Sequence, residues 1–265
     1  MREGRDMQAQ AIGVDVGGTG IKAGLVEVDT GVRLGEQLHV PTPTGAEPEA
    51  IAAEVRALVA RLGFSDAYPR PVGVCLPSIV AGGRALSASN ISADWLGLDA
   101  RMLFQQALGT PVHVLNDADA AGVAEAAFGA ARTSSGLVML VTLGTGLGTA
   151  MVHDGVLVPN CELGHLEING VDWETRASVA VKEWETLTWE QWADRLQVYF
   201  THLEALTTPD LFVVGGAISA AADSFLPLLD LRTPIVPAVL GNDAGLTGAA
   251  LLAARSRTHA GSVAR

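Results

Sequence analysis

Three apolar segments follow one another near the N-terminus, at 11–16, 21–28 and 32–40, separated by short turns rich in Gly, Asp and Thr. Short apolar runs between turn residues are typical of strands, and three in succession predict a β-meander. Runs of the same kind predict further strands at 71–76, 112–115, 137–142, 149–153 and 211–214.

Apolar residues spaced three and four positions apart predict two amphipathic helices. The first is segment 49–63, which places on one face Ile51, Val55, Leu58, Val59 and Leu62. The second is segment 189–206, which places in register Trp192, Leu196, Tyr199 and Leu203. Helices are also predicted at 100–108, 117–131 and 247–254.

The order of these elements is similar in the two halves of the chain, which indicates an internal duplication of architecture. Strands linked through helices predict an α/β fold with two lobes, each with a mixed sheet flanked by helices. We place the first lobe at 1–115 with a returning helix at 246–256, the second at 116–245, and a frayed tail at 257–265. The active site is expected in the interlobe cleft, at the C-terminal ends of the strands.

Composition and charge limit the classes of protein to which this chain can belong. The 265 residues are 49% hydrophobic, which excludes a disordered chain, and no apolar run approaches the roughly 18 residues that cross a bilayer. The polar start at 1–6 resembles no secretory signal and the two cysteines, Cys75 and Cys161, build no disulfide framework, so a cytoplasmic protein is expected. A net charge of −12 argues against a nucleic-acid-binding protein.

Two glycine-rich turns, each between apolar β-type segments, are the most informative motifs. The first contains Gly17, Gly18, Thr19 and Gly20, and the second contains Gly144, Thr145 and Gly146. Glycine allows backbone N–H groups to converge on an anion, and threonine hydroxyls add donors. One such turn is usually an ordinary hairpin, whereas two in one chain predict a pair of phosphate-binding turns.

Charged side chains beside the first turn fit the same chemistry. Asp15 lies at the end of the first strand, where a carboxylate can hold Mg²⁺, directly or through water, against donor phosphates. Lys22, on the second strand, can meet phosphate as a point charge. The structural alternatives are an aspartate that caps the turn and a solvated lysine at the sheet edge.

Asn116 and Asp117 follow an apolar strand and begin a helix. Both residue types are favoured at helix N-termini, so capping is the structural alternative. In phosphoryl transfer, a carboxylate in such a place orients the attacking hydroxyl and accepts its proton. Together with the two turns, the pair predicts Asp117 as the general base and Asn116 as a ligand of the same sugar.

Two further pairs of residues are candidates for binding. Glu162 and His165 are three residues apart and can offer acceptors and donors to one sugar; as a metal site the pair lacks further ligands nearby. Gly215 and Gly216, after strand 211–214, allow close approach of a flat group such as adenine. An ordinary strand-to-helix turn is the alternative there.

Together these motifs resemble the sugar kinases of the ROK family (repressors, open reading frames, kinases), from Ile12 to about Leu252. The resemblance rests on segments 15–19, 116–117, 143–148, 162–165 and 214–216. Within the family, the chain is similar to the actinobacterial polyphosphate glucokinases at 142–150, 159–168, 192–206 and 231–238 and at Asn90, upstream of Trp95.

The resemblance implies an actin-like ATPase (ribonuclease H-like) fold and a kinase that phosphorylates glucose, and in some relatives mannose, at O6. It implies inorganic polyphosphate, ATP or both as donors, and a homodimer as the assembly. It implies Asp117 as the catalytic base and, as the sugar ligands, Asn90, Asn116, Glu162, His165 and Glu174.

One departure from the family pattern concerns zinc. Many ROK kinases bind zinc through a histidine and a cysteine cluster between the Glu-x-Gly-His segment and the later glutamate. Here Cys161 is the nearby cysteine and segment 170–173 stands in place of the cluster, so no zinc site is expected. The polyphosphate-using subgroup also lacks the cluster, which agrees with the closer resemblance.

Three alternative functions differ from this interpretation. An ATP-only hexose or N-acetylhexosamine kinase would share the motifs, and the sequence ranks neither polyphosphate against ATP nor glucose alone against glucose with mannose. A sugar-sensing repressor is disfavoured because about eleven residues precede the first turn, too few for a helix-turn-helix. A non-catalytic sugar-binding protein would have no use for Asp117 together with two phosphate turns.

Overall fold

The structure is a computed structural model that describes residues 10–64 and 70–263. These residues form two compact units: the first contains the described residues up to Ala120 and from Asp243 onward, and the second contains 121–242. The sequence placed the corresponding boundaries after residues 115 and 245. The polar start at 1–6 and the last two residues of the predicted tail lie outside the described residues.

Strands and helices alternate along the chain. The strands are β1 (Gln10–Val16), β2 (Gly20–Glu27), β3 (Arg33–Pro41), β4 (Val72–Leu76), β5 (Val80–Ala81), β6 (Arg84–Ala85), β7 (Val112–Asn116), β8 (Leu137–Leu143), β9 (Leu147–His153), β10 (Val156–Val158), β11 (Glu167–Ile168), β12 (Val171–Asp172), β13 (Leu211–Gly215) and β14 (Ile235–Pro237). The helices are α1 (Pro48–Arg61), α2 (Ala100–Leu108), α3 (Asp117–Phe128), α4 (Glu174–Ala177), α5 (Val179–Trp184), α6 (Trp189–Thr207) and α7 (Ala244–Val263). Short 3-10 turns lie at Ala93–Trp95, Leu163–His165, Ala217–Ser224, Leu226–Leu228 and Gly241–Asp243.

The first unit contains a mixed sheet with the strand order β3-β2-β1-β4-β7. The predicted meander is confirmed, because β1, β2 and β3 pair antiparallel, and β4 and β7 then extend the sheet in parallel. One face of the sheet packs on α1 through the predicted stripe, in which Ile51, Val55 and Leu58 are fully buried. On the opposite face α7 approaches so closely that a Cβ at Gly13 or Gly73 would collide with its backbone.

The second unit contains a mixed sheet with the strand order β10-β9-β8-β13-β14. Its first three strands pair antiparallel, and β13 and β14 join in parallel, so the sequence of pairings repeats that of the first unit. The predicted stripe of α6 is fully buried in the core, at Trp192, Leu196, Tyr199 and Leu203. Burying side chains of this size stabilises the unit by about 1.5–3 kcal/mol each.

Several elements differ from the sequence prediction. Helix α7 begins at Ala244 and continues to Val263, past the predicted end at 254 and through most of the segment expected to fray. The hairpin β11–β12 and the short helices α4 and α5 were not predicted. Within 10–64 and 70–263, no helix is long and apolar enough to span a bilayer.

Candidate active site

The first glycine turn joins β1 to β2 and is closed by a hydrogen bond from the Gly17 N–H to the Gly20 carbonyl, at 2.9 Å. Thr42 fixes the turn from outside, since its hydroxyl donates to the Gly17 carbonyl at 2.6 Å. A Cβ at Gly18 would lie 2.6 Å from the carbonyl oxygen of Asn90, and one at Gly20 would collide with the imidazole of His39. The missing side chains at Gly18 and Gly20 therefore leave room for Asn90 and His39.

Asn90 lies against this first turn through its own backbone. It adopts a left-handed conformation with φ of 61°, which asparagine tolerates better than most residues. The structure thus brings a predicted sugar ligand into contact with a predicted phosphate turn.

Asp15 is held at the end of β1 by groups from both neighbouring strands. Lys22 on β2 lies directly opposite Asp15, with its Nζ 3.9 Å from the carboxylate, and the thiol of Cys75 on β4 donates to Oδ1 at 3.5 Å. Burial raises the pKa of Asp15, and Lys22 and the Cys75 hydrogen bond oppose that rise. Burial and the neighbouring carboxylates Asp15 and Asp117 raise the pKa of Cys75, so this thiol stays neutral between them.

Asn116 and Asp117 lie where β7 ends and α3 begins, as predicted. The buried Asn116 accepts from the Asp119 N–H at 2.9 Å and donates to the Ser78 carbonyl at 3.2 Å, so it caps the helix as its structural alternative requires. Asp117 is partly exposed, and its Oδ1 accepts from the Ala118 N–H at 2.8 Å. These hydrogen bonds therefore fix the orientation of both side chains.

The second glycine turn joins β8 to β9 and is closed from the Gly144 N–H to the Gly146 carbonyl at 3.0 Å. The Gly144 carbonyl accepts from the Val179 N–H, at the start of α5, at 2.9 Å. Glu174 braces the far side, because its Oε2 accepts from the Leu147 N–H at 2.8 Å and occupies the space beside Gly146. Glu174, a predicted sugar ligand, is therefore also a support of the turn.

The segment that carries Glu162 and His165 is anchored to β9 and α6. The Thr149 hydroxyl accepts from the Leu163 N–H at 3.0 Å and donates to the Cys161 carbonyl, and the buried Tyr199 hydroxyl donates to the Leu163 carbonyl at 3.0 Å. Gly164 faces the Leu147 carbonyl so closely that a side chain would not fit. Anchoring of the middle of the segment leaves Glu162 and His165 exposed at its ends.

The charges of Glu162 and His165 depend on one another and on nearby carboxylates. Desolvation raises the pKa of Glu162, and Glu174 adds to the rise while His165 opposes it. A hydrogen bond to Asp172, with Nδ1 and Oδ2 2.9 Å apart, is the largest cause of the raised pKa of His165. Glu174, Asp172 and Glu162 also favour the charged imidazolium.

Gly216 lies beside the second turn. Its φ is 88°, a conformation that suits glycine, and a Cβ there would collide with the carbonyl of Leu143, the last residue of β8. Gly215 ends β13 and lies next to Thr142. The predicted adenine-binding residues and the second glycine turn therefore lie at the same end of the neighbouring strands β13 and β8.

Trp173, Trp189 and Trp192 pack in the core of this region, whereas Trp184 is exposed. Trp192 is buried and donates to the Ala177 carbonyl at 2.9 Å, and Trp173 donates to the Arg195 carbonyl at 3.0 Å. Arg195 in turn pairs with Glu185, and Lys182 lies over the Trp189 ring at 4.1 Å. The charged groups of Arg195 and Lys182 therefore already interact with other side chains of the protein.

The predicted residues fall into two groups, one in each unit. In the first unit, the turn at 17–20 lies with Asp15, Lys22 and Asn90. Two strands away, Asn116 ends β7 and Asp117 begins α3. The second unit brings Glu162, His165, Glu174 and Gly216 around the turn at 144–146.

Sequence reasoning missed Cys75, His39, Thr149 and Asp172. Only Asp172 had a local signal, the Asn169-Gly170 pair that is typical of a tight hairpin turn. Among the described residues, no group of three or more His, Cys, Asp and Glu side chains is arranged to hold a metal ion. A Mg²⁺ site of the kind predicted at Asp15 needs fewer protein ligands, because Mg²⁺ is usually bound through one or two carboxylates plus substrate phosphates and water.

Several known proteins are similar to this chain in sequence and in fold. The chain is 43% identical to the polyphosphate glucokinase of Mycobacterium tuberculosis (strain CDC 1551 / Oshkosh) over 257 residues, which cover 97% of this chain and 96% of that protein. The crystal structure of an inorganic polyphosphate/ATP-glucomannokinase from Arthrobacter sp. strain KM is 51% identical, with a TM-score of 0.88, and covers 94% of this chain and 99% of that one.

A ROK family glucokinase from Streptomyces griseus, in complex with glucose and AMPPNP, is 27% identical with a TM-score of 0.79, covering 93% of this chain and 99% of that one. These likenesses confirm the predicted actin-like fold class. The model of the ROK family matches residues 11–180. The chain therefore belongs to the ROK family.

Proposed function

We propose that this protein transfers the terminal phosphoryl group of inorganic polyphosphate or ATP to O6 of glucose in the cytoplasm. The observation that carries the proposal is the joint presence of two glycine turns and the Asn116-Asp117 pair in a chain 43% and 51% identical to polyphosphate-using kinases. Neither a turn nor the pair would be sufficient alone, because each has an ordinary structural alternative.

Asp117 is the general base of the proposed reaction. Its carboxylate orients the 6-hydroxyl of glucose and accepts its proton as the oxygen attacks the terminal phosphorus. The bond from that phosphorus to the donor's bridging oxygen breaks, and the leaving oxygen departs with the electron pair. The hydrogen bond from the Ala118 N–H to Oδ1 supports this role, since it restricts rotation of the carboxylate.

Sugar recognition is assigned to Asn90, Asn116, Glu162, His165 and Glu174. Glu162 and His165 project from an anchored segment and supply an acceptor and a donor to neighbouring hydroxyls. Asn116 uses its Oδ1 and one N–H in the helix cap and the Ser78 contact, which leaves its second N–H for a sugar oxygen.

The phosphoryl donor is assigned to the two turns, with Lys22 as a point charge and Gly215 and Gly216 toward the adenine of ATP. Mg²⁺ is usually bound by one or two carboxylates together with substrate phosphates, and Asp15 offers one carboxylate beside the first turn. When bound, Mg²⁺ neutralises charge on the donor phosphates. When Mg²⁺ is not bound, Lys22 offsets the negative charge of Asp15, because its Nζ is 3.9 Å from the carboxylate.

Two finer assignments accompany the proposal. The relative from Arthrobacter is named a glucomannokinase, which supports mannose as a second acceptor. A homodimer is proposed from the family resemblance alone.

The first test is formation of glucose 6-phosphate with Mg²⁺ and either ATP or inorganic polyphosphate as the sole donor. Turnover with polyphosphate supports the full proposal, and turnover with ATP alone would restrict it to an ATP-dependent glucokinase. Turnover with neither donor would overturn it. Mannose and N-acetylmannosamine, run as acceptors beside glucose, separate a glucomannokinase from an N-acetylhexosamine kinase.

A further inference from the structure

We propose that Asp172 is a positioning residue of the sugar site, which holds the imidazole of His165 and the backbone of Glu174 in a fixed relation. This inference rests on the proposed function, because it concerns how the same site binds glucose. Asp172 lies on β12 and matched none of the motifs found in the sequence.

The contacts of Asp172 join the two predicted sugar ligands through its two carboxylate oxygens. Oδ2 lies 2.9 Å from Nδ1 of His165, and Oδ1 accepts from the Glu174 N–H at 3.0 Å. Its carbonyl accepts from the Thr175 hydroxyl at 2.7 Å. One side chain therefore fixes both the orientation of the His165 ring and the position of Glu174, the first residue of α4.

The hairpin β11–β12 gives Asp172 a defined position. Asn169 and Gly170 both have positive φ, 54° and 77°, as a type I′ turn requires, and Asp172 pairs with Glu167 across the two strands. The Trp173 N–H donates to the Leu166 carbonyl at 3.0 Å and continues the pairing. A short hairpin closed at both ends holds its side chains more firmly than an open loop of the same length.

The Asp172 contact also decides which protons His165 carries. An ionised carboxylate can only accept, so Nδ1 is the protonated nitrogen and Nε2, on the other side of the ring, is directed to other partners. The titratable groups that act on the ring are Asp172, Glu174 and Glu162, all carboxylates that favour the imidazolium. The imidazolium donates from both nitrogens, so it can bind Asp172 and a sugar oxygen at once.

The test compares Asp172→Ala and Asp172→Asn with a matched control. Asp154→Asn removes the charge from the other His–Asp pair of the second unit, His153 and Asp154, which are 3.4 Å apart and both 62% exposed. Glucose binding is measured by calorimetry without donor, and KM for glucose and for donor are measured separately. We expect Asp172→Ala to weaken glucose binding about 10-fold to 100-fold, as for loss of a charged hydrogen bond, with the donor KM unchanged.

Asp172→Asn keeps the shape and one acceptor, so we expect an intermediate loss, and Asp154→Asn should match the wild type. The pH dependence of glucose binding provides a readout that a purely structural defect would not move. In the wild type, affinity falls as pH rises through the raised pKa of His165, and in Asp172→Asn that fall moves to lower pH.

Unchanged glucose affinity in Asp172→Ala, or an Asp172→Asn profile that coincides with the wild type, would overturn the inference. Should Asp172→Ala not fold, Asp172→Asn and the ¹⁵N shifts of the His165 ring, assigned with His165→Gln, decide the question. A wild type that fails to phosphorylate glucose refutes the proposed function instead, and an active wild type with insensitive Asp172 variants refutes only this inference.

Discussion

The two units share one sheet order but position their candidate residues by different means. In the first unit, Asp15, Asn116 and Asp117 lie at the ends of β1 and β7 or at the start of α3, where strand register and a helix cap set their places. In the second unit, Glu162 and His165 lie on a segment outside the main sheet, which Thr149 and Tyr199 anchor by side-chain hydrogen bonds.

The glycine turns show the same difference. In the first unit, Gly18 leaves room for the backbone of Asn90, which cannot move without moving its segment. In the second unit, Gly146 leaves room for the Glu174 carboxylate, the far end of a side chain. One sheet order can therefore support a site whose residues are fixed by the backbone and a site whose residues are fixed by side chains. In the second kind of site, a single side-chain substitution is more often sufficient to displace a candidate residue.

The largest expected effect is that of Asp117→Asn in the first unit. The amide cannot accept the hydroxyl proton, so we expect kcat to fall about 10²-fold to 10⁴-fold, with glucose binding largely retained because the helix start is unchanged. Steady-state kinetics and calorimetry with glucose measure the two quantities. Near-normal turnover would remove Asp117 from the assignment and with it the chemical role of the first unit.

A smaller effect is expected from Gly146→Ala, which tests support of the second turn by Glu174. The new Cβ displaces the flexible Glu174 carboxylate from the Leu147 N–H, and leaving that donor without this acceptor costs about 1–3 kcal/mol. Gly144→Ala is the matched control, because the nearest atom to its Cβ, the Gly146 carbonyl oxygen, is 4.0 Å away. Thermal melting should separate the two variants by several degrees; equal melting temperatures would contradict the argument.

Thr149→Val tests the anchoring of the Glu162 and His165 segment. The isosteric change leaves the Leu163 N–H and the Cys161 carbonyl without this partner, and we expect KM for glucose to rise up to about 10-fold, the equivalent of about 1.4 kcal/mol. Thr201→Val, at an exposed position on α6, is the control. If both variants keep the wild-type KM, side-chain anchoring is not what distinguishes the second unit.

The smallest expected effect is on stability, in Asp15→Asn. Because burial raises the pKa of Asp15, the folded state binds this proton more tightly than the unfolded state, and ionisation destabilises the fold as pH rises. We therefore expect Asp15→Asn to melt slightly higher than the wild type at neutral pH while losing activity. The difference should vanish as pH falls below the ordinary aspartate pKa of about 3.9, and a lower melting temperature at pH 7 would contradict it.

The meander and the two buried helix faces were predictable because their signals are local. Short apolar runs between turn residues identified β1, β2 and β3, and helical spacing identified the stripe at Ile51 and Val55 and the stripe at Trp192 and Leu196. The hairpin β11–β12 was missed because its strands have two residues each, too short for periodicity, although Asn169-Gly170 marks its turn.

The sequence by itself determined the fold class, the two glycine turns and the place of Asn116 and Asp117 between a strand and a helix, since each depends on residues adjacent in the chain. Only the tertiary structure decided what the glycines make room for, which side chains brace Glu174 and His165, and that Cys75 contacts Asp15 from the next strand. The contacts at Gly18, Leu147 and Asp15 join residues far apart in sequence, and the contact between His165 and Asp172 depends on a hairpin too short to show a period. Packing and strand register, which create these contacts, leave no periodic trace in the chain.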